Sequence, residues 1–139
     1  MLYATLNALW AAYEAGSQEY FDYYREGASV FSLSSPIRIT ARDYRQTFGR
    51  QIGLQLRAQH ILDPEVQLLG DCALVTCHSR VRVNYSSVDS RATVFLVQEG
   101  DGFKVAHLHL SPLSSPPATA DTRGLVEEVT ALLEDARPS

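Results

Sequence analysis

From Leu54 to Pro112 the sequence keeps a period of two, broken only at Asp63-Pro64, Gly70-Asp71, Ser86–Ser90 and Glu99-Gly100-Asp101-Gly102. Side chains two apart share one face of a strand, and short turns join antiparallel neighbours. The stretch therefore predicts a meander of long antiparallel strands. Leu54–Leu62 and Glu65–Leu69 read as one long strand with a bulge, followed by strands over Cys72–Tyr85 and Arg91–Gln98. The closing strand opens at the turn Asp101-Gly102 and runs to Pro112. Strict alternation there puts Phe103, Val105, His107 and His109 on one face and Ala106, Leu108 and Leu110 on the other. One face begins apolar and ends in two imidazoles, while the other is apolar throughout. That predicts a central strand with a cavity on the first side and a packed surface on the second.

The first half follows a different period. Leu2, Leu6, Leu9, Trp10 and Tyr13 recur at i, i+4, i+7, i+8 and i+11, one face of a helix ended by Gly16. A short second helix with Tyr20, Phe21 and Tyr24 follows from Ser17 to Gly27, then a short strand over Ser29–Leu33. Thr40-Ala41-Arg42-Asp43 starts a third helix carrying Tyr44, Phe48 and Ile52. Helices followed by a meander predict an α+β domain, with helices on one face of a curved sheet and a cavity beneath them. Ser114-Ser115-Pro116-Pro117 breaks the pattern, so residues 1–113 read as the domain and 114–139 as a linker and C-terminal helix. On that last helix Leu125, Val129, Leu132, Leu133 and Ala136 share a face, which docks on the same chain or on a partner.

Charge and cysteine content narrow the partners. A net charge of −4 over 139 residues, with no run of Lys or Arg, argues against nucleic-acid and acidic-membrane binding. Cys72 and Cys77 lie five apart on one predicted strand, on opposite faces and about 16 Å apart. A disulfide needs Cα atoms within about 7 Å, so two free thiols and a reducing compartment are expected. No apolar leader or span is legible, and a cytoplasmic location is expected.

The chain resembles the nuclear-transport-factor-2-like superfamily, with its cone-shaped α+β barrel, also described as cystatin-like. Within it the match is to the association domain of calcium/calmodulin-dependent protein kinase II and its bacterial SnoaL-like relatives. Ile61-Leu62-Asp63-Pro64-Glu65-Val66 through Gly70-Asp71 resembles the family's bulged strand and turn. Ser79-Arg80 is similar to its Arg-bearing strand. Asp101-Gly102-Phe103 through His107-Leu108-His109 and Ser111 resembles its closing strand, with Phe103 where Trp is usual. The likeness covers about residues 6 to 113 and implies no kinase activity. It implies a homodimer through the outer sheet face, which on the alternation above carries Leu108 and Leu110. It also implies a pocket in which Arg80 meets a carboxylate-bearing ligand and the paired His107 and His109 line the wall.

The residues themselves leave several chemistries open. A guanidinium binds a carboxylate in bidentate fashion or closes a structural ion pair, and Arg80, with Arg82 beyond it, could do either. On the same parity as Arg80, His78 joins the expected pocket wall, with Tyr13, Tyr24 and Phe103 as further wall residues. His107 and His109 bind an anion when charged or act as a general base when neutral. His-x-His on a strand also suits a metal, with His78 or His60 as third ligand, yet nothing in the sequence converges them, and no metal or cofactor is expected. The acidic residues sit mostly at caps and turns; Asp22 and Glu26 are the two that could face inward, and no paired carboxylate is found. Cys77 has no activating neighbour on its own face. Three functions follow in order: a dimeric pocket protein for a small anionic or aromatic molecule, a SnoaL-like isomerase, cyclase or hydratase using a pocket histidine as base, and a non-catalytic oligomerisation module.

Overall fold

The computed structural model describes residues 1–33, 35–84 and 86–113. Helix α1 spans Leu2–Ala15 and buries Leu2, Leu6 and Leu9 of the expected stripe together with Ala12, while Trp10 and Tyr13 are partly buried against the core. Gly16 ends it at φ 69°, and its N–H returns to the carbonyls of Ala12 and Tyr13. Only glycine fits there, because a Cβ would stand 2.5 Å from the Ile52 carbonyl oxygen as well as requiring positive φ. A 3-10 helix over Gln18–Tyr23 replaces the expected second α-helix. Its cap, Ser17, accepts from the Glu19 N–H at 3.2 Å. Tyr24 already belongs to strand β1, Tyr24–Phe31, which is longer than expected. After β2 (Ile39–Thr40), helix α2 runs Ala41–Phe48, and the Thr40 hydroxyl accepts from the Asp43 N–H at 3.1 Å as the capping pattern foretells. The helix stops before Ile52, which is fully buried in the turn that follows.

Four long strands complete the chain: β3 (Arg57–Leu69), β4 (Cys72–Val83), β5 (Ser86–Glu99) and β6 (Gly102–Pro112). They lie in the order β2-β1-β6-β5-β4-β3 in one unclosed sheet. The meander is antiparallel as expected, but β1 lies parallel to β6, so the sheet is mixed. The stretch Ser86–Ser90, read as a loop, is ordered strand paired to Val83–Ser79. The expected bulge in β3 lies between Leu62 and Glu65, where Asp63 takes φ 53°.

A second bulge escapes simple alternation. Leu96 pairs with Val105 and Phe95 with His107, so Ala106 is the extra residue on β6. Each bulge reverses the parity beyond it. Phe103 packs on the core and Val105 is fully buried; past the bulge Leu108 is buried and Leu110 packs on the core, leaving His107 and His109 on the other side. The core thus lies between α1, the 3-10 helix and the inner sheet face of Ala73, Val75, Val94, Leu96, Val105 and Leu108. The expected linker and helix at 114–139 fall outside the described residues.

Candidate cavity beneath the helices

The inner face does not fill completely. Between α1, the 3-10 helix and strands β3 to β6 lies a small cavity of about 50 Å³. Trp10 and Tyr13 come from α1, Tyr20 from the 3-10 helix, Tyr24 and Leu33 from β1 and the residues after it. Gln59 and Ile61 come from β3; Cys77, Ser79 and Val81 from β4; Ser90, Ala92 and Val94 from β5; Leu108 and Leu110 from β6. Among these described lining residues none carries a charge and none is a histidine. The small residues face the helices because β4 and β5 register them together: Ser79 opposes Ser90 and Cys77 opposes Ala92. A small side chain on each of two adjoining strands leaves room that a Leu or Phe would occupy.

Polar chemistry enters through the tyrosines. The Tyr20 hydroxyl lies 2.5 Å from that of Tyr24 and 3.1 Å from that of Tyr44. Burial raises all three phenols well above 10, and the neighbouring phenols add to the shift. They remain protonated at neutral pH. Three hydroxyls in a chain use two of their three protons on one another, so one O–H remains to donate outward. Tyr20 and Tyr24 both line the cavity.

Tyr13 stands edge-on to Tyr20, with ring centroids 5.3 Å apart, and the Arg57 guanidinium lies 5.4 Å from its ring centroid. Burial raises the Tyr13 phenol too, with the Arg57 charge and hydrogen bond pulling the other way. Arg57 is itself buried, sandwiched on Phe48 at 5.2 Å and donating to the carbonyls of Ile52 and Gln51. Its charge is satisfied by main-chain oxygens and aromatic faces. Burial pushes the Cys77 thiol up to about 11, so it is a neutral wall group rather than a nucleophile.

The structure divides the residues singled out in the sequence. Tyr13 and Tyr24 lie on the cavity wall. Phe103 packs on the core but does not reach the cavity. Arg80, His78, His107 and His109 stand on the opposite, outer face, which corrects the expected direction of the pocket. On β4 the inward residues are Ala73, Val75, Cys77, Ser79 and Val81, one position off the parity chosen for Arg80. Arg80 closes a cross-strand ion pair with Asp89 at 2.8 Å, the structural alternative. Arg82 and His60 are exposed, His60 opposite Arg80 on the edge strand. Leu108 and Leu110, expected on the outer face, line the cavity. The Asp22 carboxylate pairs with Arg45 at 3.3 Å and Glu26 is exposed, neither lining the cavity.

The histidines form a group of their own on the outer face. His107 Nδ1 lies 2.7 Å from the Ser29 hydroxyl, and the Phe31 ring sits 5.7 Å from His107 and 5.1 Å from His109. Burial lowers the His107 imidazole below its usual value, reinforced by His109 and Arg38 against the hydrogen bond to Ser29. No cluster of three or more metal-ligating side chains occurs among the described residues.

The helices packed on one face of an unclosed, strongly registered sheet define the nuclear-transport-factor-2-like α+β fold. Within that fold the chain belongs to the SnoaL-like domain family, whose model matches residues 2–115. Among solved structures it is similar to an NTF2-like protein of unknown function from Pseudomonas putida KT2440, at 17% identity and TM-score 0.70, covering 78% of this chain and 81% of that one. It is also similar to the CaMKII hub of S. rosetta, at 18% identity and TM-score 0.68, covering 79% and 92%. Bd1075 of Bdellovibrio bacteriovorus matches at 17% identity and TM-score 0.67 over 78% of this chain, which spans 39% of that protein. No curated protein sequence matches the chain. No helix among the described residues is long and apolar enough to cross a membrane.

Proposed function

We propose that the protein binds a small, uncharged, apolar molecule, flat enough to lie among aromatic rings and bearing one hydrogen-bond acceptor such as a carbonyl. The observation that carries this is the tyrosine chain: three linked hydroxyls, two of them on residues that line an apolar cavity, have one proton more than they can spend on each other. An aromatic ligand keeps its place in this reading. An anionic one does not, because a carboxylate in the cavity would meet no cation on its wall and would lose its hydration uncompensated. A histidine general base would likewise have to act from the far side of the sheet.

A melting-temperature screen tests it. Neutral aromatic ketones raise the melting temperature by mass action, while the matched carboxylates do not. The double replacement Tyr20→Phe with Tyr24→Phe, which removes both cavity-lining hydroxyls, weakens the ketone about tenfold, the worth of one lost hydrogen bond. A carboxylate-specific shift that disappears in Arg80→Ala overturns the reading.

We further propose a homodimer through the outer sheet face, where Phe31 and the rings of His107 and His109 form an aromatic patch around a partly exposed phenylalanine. Leu108 and Leu110 have no part in that surface.

A further inference from the structure

Three polar or charged residues are buried among the described residues: Arg57, Ser79 and Ser90. Arg57 spends its guanidinium on main-chain carbonyls and aromatic faces. The serines have no such partners. Ser79 is 4% exposed and Ser90 3%, yet neither hydroxyl makes a hydrogen bond among the described residues. Both residues line the cavity, and neither oxygen is sealed inside the protein as the unpartnered His78 Nδ1 is. Their hydroxyls therefore open onto the cavity space. A buried hydroxyl without a partner costs stability, so two of them on one cavity wall mark a place that a bound molecule completes.

The strand register makes the two serines one site. Ser79 and Ser90 are direct partners on β4 and β5, and side chains so placed have Cβ atoms about 4.5–5.5 Å apart. One oxygen set between them is within reach of both. Gln59 lines the same stretch of wall, since it pairs with Val81 and so lies diagonal to Ser79. Serine and glutamine side chains both donate and accept, which matches a hydroxyl better than a ketone, an acceptor alone. The tyrosines enter elsewhere: Tyr24 is level with Val105 and Leu96, six positions along β5 from Ser90. The cavity thus has a donor end at the tyrosines and a donor–acceptor end at the serines. We propose that Ser79 and Ser90 bind a hydroxyl of the ligand, which makes the ligand a hydroxyketone, an aromatic ketone with a hydroxyl on the side of the ring away from its carbonyl. The carbonyl rests on the tyrosine reading above; the hydroxyl rests on the serines alone.

Calorimetric titration of the full chain with acetophenone, 4-hydroxyacetophenone and 4-methylphenol separates the two ends. 4-Hydroxyacetophenone binds about tenfold more tightly than acetophenone, the worth of one hydrogen bond. That advantage disappears in Ser79→Ala/Ser90→Ala, while acetophenone is held as before. Tyr20→Phe/Tyr24→Phe weakens both ketones alike and leaves 4-methylphenol, which has the hydroxyl and no carbonyl, unchanged. Without ligand the serine variant melts at the parent's temperature or above it, because it loses only unpaired groups. A clear fall in its melting temperature would show hydroxyls already satisfied, by a held water for example, and overturn the proposal. Equal binding of acetophenone and its hydroxyl derivative, or a preference that survives the serine replacements, also overturns it and leaves the tyrosine reading standing. Serine-dependent binding of 4-methylphenol with no tyrosine dependence of the ketones does the reverse. No binding of any of the three overturns both.

Discussion

His107 shows how one residue joins the sequence pattern to a measurable property. Its imidazole is depressed in the folded state, chiefly by burial, with His109 and Arg38 as further positive neighbours. The folded protein therefore prefers the neutral ring. A base whose folded value lies below the unfolded 6.5 contributes stability that is present above that value and lost as pH falls through the folded value. Melting temperature should decline from pH 7.5 to 5.5, and His107→Asn should lessen the decline; an equal decline in both proteins would remove His107 from the account. The candidate cavity was only partly legible at this scale. Tyr13 and Tyr24 could be placed because the apolar stripe of a helix must face the core, whereas Trp10 was legible only as part of that stripe. Ser79 and Ser90 were missed because a small polar residue on a strand signals nothing until its cross-strand partner is known. Arg57 was missed because its partners are carbonyls in a turn, which no side-chain pattern announces.

At the scale of elements, the outcome depended on two bulges. The β3 bulge was legible because Asp63-Pro64 interrupts an otherwise regular alternation. The β6 bulge at Ala106 was not, because alanine fits either face and leaves the pattern unbroken to the eye. That single inserted residue exchanges the faces of His107 and His109 with those of Leu108 and Leu110. Deleting Ala106 should force a choice between breaking the pairing with β5 and turning both leucines outward. The buried Leu108 is worth about 1.5–3 kcal/mol and the half-buried Leu110 adds to it, so the variant should lose much of its stability and its cooperative melt by circular dichroism. A deletion variant that melts within a few degrees of the parent would show that β6 tolerates strict alternation. The β4 parity was in principle readable. Ala73, Val75, Cys77, Ser79 and Val81 are uniformly small or apolar, whereas the alternate positions include His78, Arg80 and Arg82. That contrast marks the inner face of β4, against an inward Arg80.

For the whole molecule, the fold was legible and the chemistry was not. Helices in the first half, a strand meander in the second and the turn residues between them specify the architecture at several levels at once. A cavity is what is left unfilled, so it depends on the registers of four strands and on two bulges together. The outer face offers the assembly prediction. Sedimentation should show a dimer that Phe31→Arg converts to monomer at micromolar concentration, since a buried unpaired charge at such a patch disfavours association. A Phe31→Arg protein still dimeric at that concentration would place the interface elsewhere.

The most direct measurement is a fluorescence titration of Trp10 with a small neutral aromatic ketone, beside the carboxylate of the same skeleton. The account predicts saturable quenching by the ketone, weakened about tenfold in the double variant Tyr20→Phe/Tyr24→Phe and untouched in Arg80→Ala. Preference for the carboxylate, or binding that survives the double tyrosine replacement and fails in Arg80→Ala, would place the ligand on the other side of the sheet and contradict it.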